Sequence, residues 1–559
     1  MEYKKHKNLL VYLTLASILM LGFGLRIYNI SEIYHVDEPN IVKRAVTIAD
    51  GKWHISWYNW PAQSLMRVDA LLFKTYGTVH NLKHGTETNI PEQFKANEKI
   101  FYTIARSVSI FLALISIFFI FLIGKTIHNA NTGLLAALFL TVSCLHVLQS
   151  RYATPDVPMT AGFLILIYLS LLLFKLPLNN ELRKNEFALY AIAGAVFGFL
   201  MATKYTSALG IVPIALIFIY RFCASRQWSI KIIAKEIYQI FCWPILFFII
   251  SCFLVHTIFN PYFFTDLNLV IKALLFEAKG DRITATWTNG QSIFWQNLYY
   301  YIRSQQPWNG MIISFVAGLG MLGTLISWPW KKNNQLLSLL IFLTVIVISL
   351  SSLPLHWSRW AVPIVPFISL FAAWSINSSY HLIIKKIKYK KIVLFIFIVI
   401  TIIAIFPQLF LSWANGNAID NPSTNEKMRI YIEENLESGS KIMADNYKFK
   451  LSKDYKITTQ NLEIYNQTTD DLKANGFQYV IVKNSRLGAA KQRPKKFKNI
   501  IDFFNELNDN SELLVTYKAY DGVLNNKKDT KFYEWLWQNK ISDIENITNG
   551  ATISLYKIN

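Results

Sequence analysis

The residues with the most chemistry to offer are ionisable groups at the ends of long apolar runs. Asp37 and Glu38, in His-Val-Asp-Glu-Pro, follow an apolar run from Leu9 to Tyr28 that is long enough to cross a bilayer. Arg151-Tyr152-Ala153-Thr154-Pro155-Asp156 joins two further runs, Thr203-Lys204-Tyr205-Thr206 separates another two, and His356-Trp357-Ser358-Arg359-Trp360 precedes a late one. A carboxylate within hydrogen-bond reach of a hydroxyl can take its proton as the oxygen attacks. Lys204, Arg359 and Arg151, with His356 as a further candidate, can neutralise a phosphate, and a guanidinium can bind two phosphate oxygens as the group departs. The aromatic faces of Trp57, Tyr152 and Tyr262 suit the flat apolar faces of a sugar, although an interfacial belt accounts for many such residues equally well. Taken singly, an Asp-Glu pair beside a span is an ordinary solvated pair, and a lone Lys or Arg there is an anchor. The repetition of such clusters at the ends of spans is what points to chemistry.

The elements that must position these groups are membrane helices. Of 559 residues, 53% are hydrophobic and only 16% charged, which is not the composition of a soluble globular protein. Runs of suitable length number about eleven, near 9–28, 101–124, 133–150, 158–174, 187–203, 205–221, 238–259, 311–329, 336–353, 360–378 and 392–412. The net charge of +21 sits largely in short connections: Lys4, Lys5 and Lys7; Lys125; Lys175, Arg183 and Lys184; Arg221, Arg226, Lys231 and Lys235; Lys331 and Lys332; and Lys385 to Lys391. With eleven spans all these clusters fall on the side of the N-terminus, which is therefore cytoplasmic, and nucleic acid is not an expected partner. The N-terminal run is too long, and too poor in small residues, for a cleaved signal peptide, and reads as an uncleaved first helix. Four cysteines, Cys144, Cys223, Cys242 and Cys252, lie in or beside apolar segments, without the spacing of a disulfide framework or a zinc site.

The alternate loops then face outward and hold the candidate residues. The first, 29–100, carries Asp37-Glu38, the aromatic patch Trp53, Trp57, Tyr58 and Trp60, and a stretch from Ser64 to Tyr76 with helical spacing of Leu65, Val68, Leu71 and Leu72, expected to lie on the membrane surface. The fourth, 260–310, opens with Asn-Pro-Tyr and is rich in aromatics, including Trp287, Trp295, Tyr299 to Tyr301 and Trp308. From 414 to 559 the composition turns polar and predicts a small extracytoplasmic α/β domain following a membrane domain over 1–413. Its expected elements are a helix near Met428 to Leu436 and strands at Lys441 to Ala444, Tyr479 to Val482, Leu513 to Tyr517 and Thr552 to Tyr556. A basic run from Ala489 to Asn499 reads as a solvated face that can lean on anionic headgroups.

The order of these motifs resembles glycosyltransferase family 39. Asp-Glu after the first span, the Tyr-Ala-Thr-Pro-Asp turn, Thr-Lys-Tyr-Thr, Asn-Pro-Tyr, Ser-Arg-Trp-x-x-Pro-x-x-Pro, Asn421-Pro-Ser-Thr and Ile432-Glu-Glu-Asn-Leu-Glu-Ser-Gly-Ser carry the likeness. The family comprises the protein O-mannosyltransferases and bacterial relatives similar to the aminoarabinose transferase of lipid A, all of GT-C membrane architecture, and the likeness is to the bacterial type. The resemblance implies a polyprenyl-phosphate sugar as donor, a protein or glycolipid acceptor, transfer with inversion on the extracytoplasmic face, and no required cofactor. It makes Asp37 the base with Glu38 beside it, Asp156 the second acidic residue of the site, and Lys204, Arg359 and Arg151 the phosphate-facing cations. Asn425 stands where relatives often carry a basic residue, and no trefoil-type insert is present in the fourth loop, so protein mannosylation in particular is not supported. A carboxylate pair can also hold a divalent ion, and the sequence leaves this open. The rival class is a polytopic transporter or flippase, whose ionisable residues gather near the bilayer midplane, whereas these spans are nearly free of charge there. An oligosaccharyltransferase shares the architecture, but its Trp-Trp-Asp motif is absent. A simple membrane anchor would need only one or two spans.

Overall fold

The computed structural model describes residues 2–31, 35, 37–60, 62–176, 184–224, 243–279, 293–331, 334–353, 356–417, 423–445, 451, 455–460, 462–491, 494–495, 497–517 and 552–559. Arg183, Arg226, Lys231, Lys235, Trp287, Lys332, Asn421, Arg493 and Lys496, singled out above, lie outside these residues, as do Cys223's side chain and Cys242. In order the helices are α1 (Glu2–Ile27), α2 (Glu38–Ala49), α3 (Gln63–His84), α4 (Ile90–Ala96), α5 (Glu98–Ile127), α6 (Ala130–Val142), α7 (Cys144–Ser150), α8 (Asp156–Lys175), α9 (Lys184–Thr203), α10 (Ile211–Ala224), α11 (Trp243–Phe259), α12 (Leu267–Lys279), α13 (Ile293–Asn309), α14 (Met311–Lys331), α15 (Asn334–Ser351), α16 (Val365–Ile384) and α17 (Lys390–Asn417).

Among the described residues eight helices are long and apolar enough to cross a membrane, or nine if the bent pair α6 and α7 is one span. The chain is a multi-pass membrane protein, mainly α. Eight of the eleven expected spans correspond to these helices, and 133–150 is the bent pair, broken by 63°. The other two, 205–221 and 238–259, coincide with shorter apolar helices, Tyr205–Tyr220 and Pro244–Phe259. The first of these opens with a 3-10 turn, Tyr205–Gly210, so less of its length is α-helical than the hydropathy pattern implies.

The contact-defined first unit comprises Met1–Lys279, Tyr301–Leu350 and Trp357–Trp413. A break in a membrane helix frees backbone groups that nothing in lipid can satisfy, so side chains must. At Ser143 they do: the Thr141 carbonyl accepts from Arg26 at 3.2 Å, the Val142 carbonyl accepts from the Ser412 hydroxyl at 3.0 Å, and the Cys144 N–H donates to Gln408 Oε1 at 3.1 Å. The break thereby directs α7 toward the turn that carries Arg151, Tyr152 and Asp156. Helices α9 and α11 meet through Gly194 and Gly198, a Gly-x-x-x-Gly pair, where an added Cβ would lie 2.1 Å from the Phe248 carbonyl oxygen and 2.3 Å from that of Cys252. Helix α3 is longer than the surface helix expected at Ser64 to Tyr76. It turns Leu65 inward, while Leu71, Leu72, Val79 and Leu82 stay exposed as one apolar face.

The second unit comprises Gly280–Tyr300, Ser351–His356 and Ala414–Asn559. Its sheet has the order β2-β1-β3-β5-β4, from β1 (Lys441–Asp445), β2 (Lys456–Gln460), β3 (Tyr479–Lys483), β4 (Ser511–Tyr517) and β5 (Ile553–Ile558). The first three strands pair in parallel, and β5 runs antiparallel to β3 and β4. The four expected strands are β1, β3, β4 and β5. The unexpected edge strand β2, Lys-Ile-Thr-Thr-Gln, buries little and lacks the run of buried apolar residues that marks β1, β3 and β5.

Candidate active site

The first unit brings two carboxylates and two cations together as ion pairs. Asp37 immediately precedes α2 and binds Arg359 Nη1 through Oδ2. Arg359 stands in the 3-10 turn Ser358–Ile364, where the prolines of Ser-Arg-Trp-x-x-Pro-x-x-Pro open α16 without needing backbone donors. Asp156 is the first residue of α8 and lies 2.6 Å from Lys204 Nζ, at the end of α9. The ammonium also stands 5.9 Å over the ring of Trp360, the neighbour of Arg359. His35 Nδ1 lies 3.9 Å from Asp37 Oδ2, and Glu38, Asp156 and Arg359 also act electrostatically on its ring. Beside them Met159, Phe163, Lys204, Leu209, Ile346 and Trp360 line a small cavity.

Glu38 differs from its neighbour. Its carboxylate is fully buried and receives four donors: Arg106 Nε and Nη2, each at 2.8 Å, the Ala153 N–H at 2.9 Å and the His35 N–H at 3.0 Å. Arg106 in turn donates through Nη1 to the Ile30 carbonyl at 2.9 Å and lies over the Tyr102 ring at 5.2 Å. A carboxylate so occupied holds the start of α2, the end of α1 and the turn after α7 in one arrangement. Arg106 escapes a reading of loop residues because it lies inside an apolar run. A single buried arginine in a membrane helix was the signal that marks it. His35 and the Ala153 backbone N–H were likewise not expected here.

The other candidates are dispersed. Tyr152 packs against His35, with ring centroids 4.8 Å apart. Arg151 is buried and donates through Nη2 to the Tyr28 carbonyl, while its Nε and Nη1 have no protein partner among the described residues. Trp57 lies under Arg44 at 4.3 Å and against Trp60, and Tyr262 stacks on His54 at 4.3 Å. These two belong to a strap between the segment that precedes α3 and the one that precedes α12, tied where Asp266 meets His54 at 2.7 Å and Tyr58 at 2.8 Å. His356 belongs to the second unit, where its Nδ1 is 2.6 Å from Asn297 Oδ1 and its ring 4.1 Å from that of Tyr300. Burial pushes its pKa down to about 4, so it carries no charge at neutral pH. No group of three His, Cys, Asp or Glu side chains among the described residues could hold a metal ion.

The pattern for dolichyl-phosphate-mannose-protein mannosyltransferases matches residues 102–256. Among solved structures, the oligosaccharyltransferase of Archaeoglobus fulgidus in its apo form is similar with a TM-score of 0.54 at 10% identity, over 96% of this chain and 78% of that one. The archaeal oligosaccharyltransferase AglB of the same organism, in complex with an inhibitory peptide and a dolichol-phosphate, gives 0.52 at 10% identity over 94% and 75%. ArnT from Cupriavidus metallidurans bound to undecaprenyl phosphate gives 0.46 at 11% identity over 98% and 97%. No curated protein matches the sequence. At such identities the likeness is one of fold alone, the fold that this chain shares with the archaeal oligosaccharyltransferase structures.

Proposed function

We propose that this protein is an integral-membrane glycosyltransferase that moves a sugar from a polyprenyl-phosphate donor to an acceptor hydroxyl on the extracytoplasmic face, with inversion and with Asp37 as the base. The observation that carries the reading is the pair of ion pairs, Asp37 with Arg359 and Asp156 with Lys204, at one end of apolar helices. A donor phosphate competes with each carboxylate for its cation. When Arg359 turns to the phosphate, Asp37 is released to accept the proton of the attacking hydroxyl. The bond from the anomeric carbon to the phosphate oxygen then breaks, and the charge left on that oxygen meets Arg359 and Lys204. Arg151, with donor groups to spare, is a third phosphate ligand in this scheme, and Glu38 holds the loop that presents Asp37.

The lipid chain also has a place. Four residues on from Phe163 and Leu209, and four back from Ile346, the same three segments line an apolar cavity of about 150 Å³ with Ile167, Pro213 and Phe342. In this reading eleven spans put the N-terminus in the cytoplasm and residues 414–559 outside as a separate α/β domain, in the manner of family 39. Cysteines placed at Ser56 and Ser511 should then react with a membrane-impermeant thiol reagent in sealed cells, and one at Asn334 should not. The reverse pattern would invert the protein and end the mechanism. The enzymatic test is to supply a radiolabelled polyprenyl-phosphate sugar to membranes containing the protein. The label should move to a protein or glycolipid. Label that crosses the bilayer but stays on its original lipid would make the protein a flippase.

A further inference from the structure

His35 lies two residues before Asp37, and every polar atom of its backbone and one of its ring is engaged by the two carboxylate residues that follow. Its N–H donates to Glu38 Oε2 at 3.0 Å, and its carbonyl accepts from the Glu38 N–H at 3.1 Å. The Asp37 N–H donates to its Nδ1 at 3.2 Å. A ring nitrogen that accepts a hydrogen bond carries no proton, so the neutral imidazole here has its hydrogen on Nε2. The same Nδ1 lies 3.9 Å from Asp37 Oδ2, the oxygen that binds Arg359. One nitrogen thus faces both an N–H, which it attracts when neutral, and a carboxylate oxygen, which it attracts when protonated.

We infer that His35 is a positioning residue that sets the acid limit of activity: neutral, it holds the Asp37 backbone, and protonated, it releases that N–H and draws the Asp37 carboxylate away from its working position. This rests on the reading of Asp37 as the base. The charged groups around the ring are Asp37 and Glu38 at the start of α2, Asp156 at the start of α8 and Arg359 in the turn before α16, with the Tyr152 ring against it. Burial lowers the His35 pKa below the ordinary histidine value, against the three carboxylates, which raise it, and together with Arg359, which lowers it. The imidazole is therefore neutral at pH 7, and the switch falls on the acid side.

Asparagine separates the two functions of the ring, because its side-chain oxygen can replace Nδ1 as an acceptor yet cannot be protonated in this range. With radiolabelled polyprenyl-phosphate sugar as donor, the rate of the wild-type protein should fall tenfold per pH unit below the His35 pKa. The His35→Asn variant should match it at pH 7 and lack that limb, while His35→Ala should lose roughly tenfold at every pH because the Asp37 N–H has lost its acceptor. In parallel, ¹⁵N-histidine spectra of the full-length protein in micelles, with the His35→Asn spectrum subtracted, should show an unprotonated Nδ1 at pH 7 that titrates with the rate. An acid limb retained in His35→Asn, or a protonated Nδ1 at pH 7, overturns the inference. Absence of transfer by the wild-type protein overturns the glycosyltransferase reading instead, and the spectra still decide the state of His35.

Discussion

Glu38→Gln separates a holding carboxylate from a catalytic one. The substitution keeps the shape and one acceptor oxygen but turns an amide NH₂ toward one of two donor pairs, either Arg106 Nη2 with the His35 N–H or Arg106 Nε with the Ala153 N–H. Both Glu38 and Arg106 are almost completely buried, so the guanidinium left behind cannot recover its loss from water. Breaking a buried pair from one side costs about 3–5 kcal/mol. The two orphaned donors are part of that cost and are not added to it. Against a total stability of roughly 5–15 kcal/mol, this is a large fraction. Thermal unfolding followed by tryptophan fluorescence in detergent should therefore show a clear loss for Glu38→Gln and for Arg106→Met. The double variant Glu38→Met with Arg106→Met should lose less than the sum, because neither charge is then stranded. Donor binding and transfer should fall with stability in the single variants. A Glu38→Gln protein as stable as the wild type, yet inactive, would refute the holding role and return Glu38 to the chemistry.

The Asp37–Arg359 pair keeps part of each side chain exposed, so Asp37→Asn should insert and lose far less stability than Glu38→Gln while transfer falls to background in the radiolabel assay; near-normal transfer removes it from its role. Ala at Lys204 or Arg359 should weaken donor use by a factor matching about 1.5–3 kcal/mol per charged hydrogen bond, and Arg359→Lys should recover part of it, measured as the donor-concentration dependence of the rate. Asp69, on the inward face of α3 outside the spans, is buried with no protein partner for Oδ1 among the described residues, and burial raises its pKa to about 8. A carboxyl whose folded pKa is raised gives stability that is complete below its unfolded value of 3.8 and is lost as pH rises to about 8. The wild type should therefore lose up to about 1.4 kcal/mol per pH unit across that window relative to Asp69→Asn, and equal melting profiles for the two would refute the burial. Gly198→Leu should prevent α9 and α11 from packing and abolish a folded, monodisperse peak in size-exclusion chromatography, whereas Gly24→Ala, with nothing within 4 Å of the added carbon, should not.

The membrane helices were legible because twenty apolar residues in a row have few other uses, and most of their ends agree with the structure within a few residues. The bend at Ser143 was not, since it depends on Arg26, Gln408 and Ser412 reaching in from helices far away in sequence. The candidate residues could be picked out by type and by the segments that carry them, and the structure joins Asp37 to Arg359 and Asp156 to Lys204. Pairing was not legible. A sequence shows two acids and two bases near one surface but not that each acid takes one base, and it gave no sign that adjacent Asp37 and Glu38 would differ so much in burial. That difference follows from backbone geometry, because Glu38 is the first residue of α2 and turns toward Arg106 while Asp37 precedes the helix.

The pairing has a consequence for how such a site can rest without substrate. In surroundings of low polarity a lone guanidinium or ammonium is costly, so cations kept ready for a phosphate need a temporary counter-charge. Asp37 and Asp156 supply it. In the proposed scheme each carboxylate is then occupied by its cation and is not free to meet an acceptor hydroxyl. In that scheme a phosphate that draws Arg359 away frees the Asp37 carboxylate when an acceptor is to be deprotonated. On the proposed function, donor binding and release of the base are then one event. Under the proposed function the same exchange distinguishes Asp37 from its neighbour. Glu38, held by four donors of which two are backbone N–H groups, keeps them whatever occupies the phosphate position.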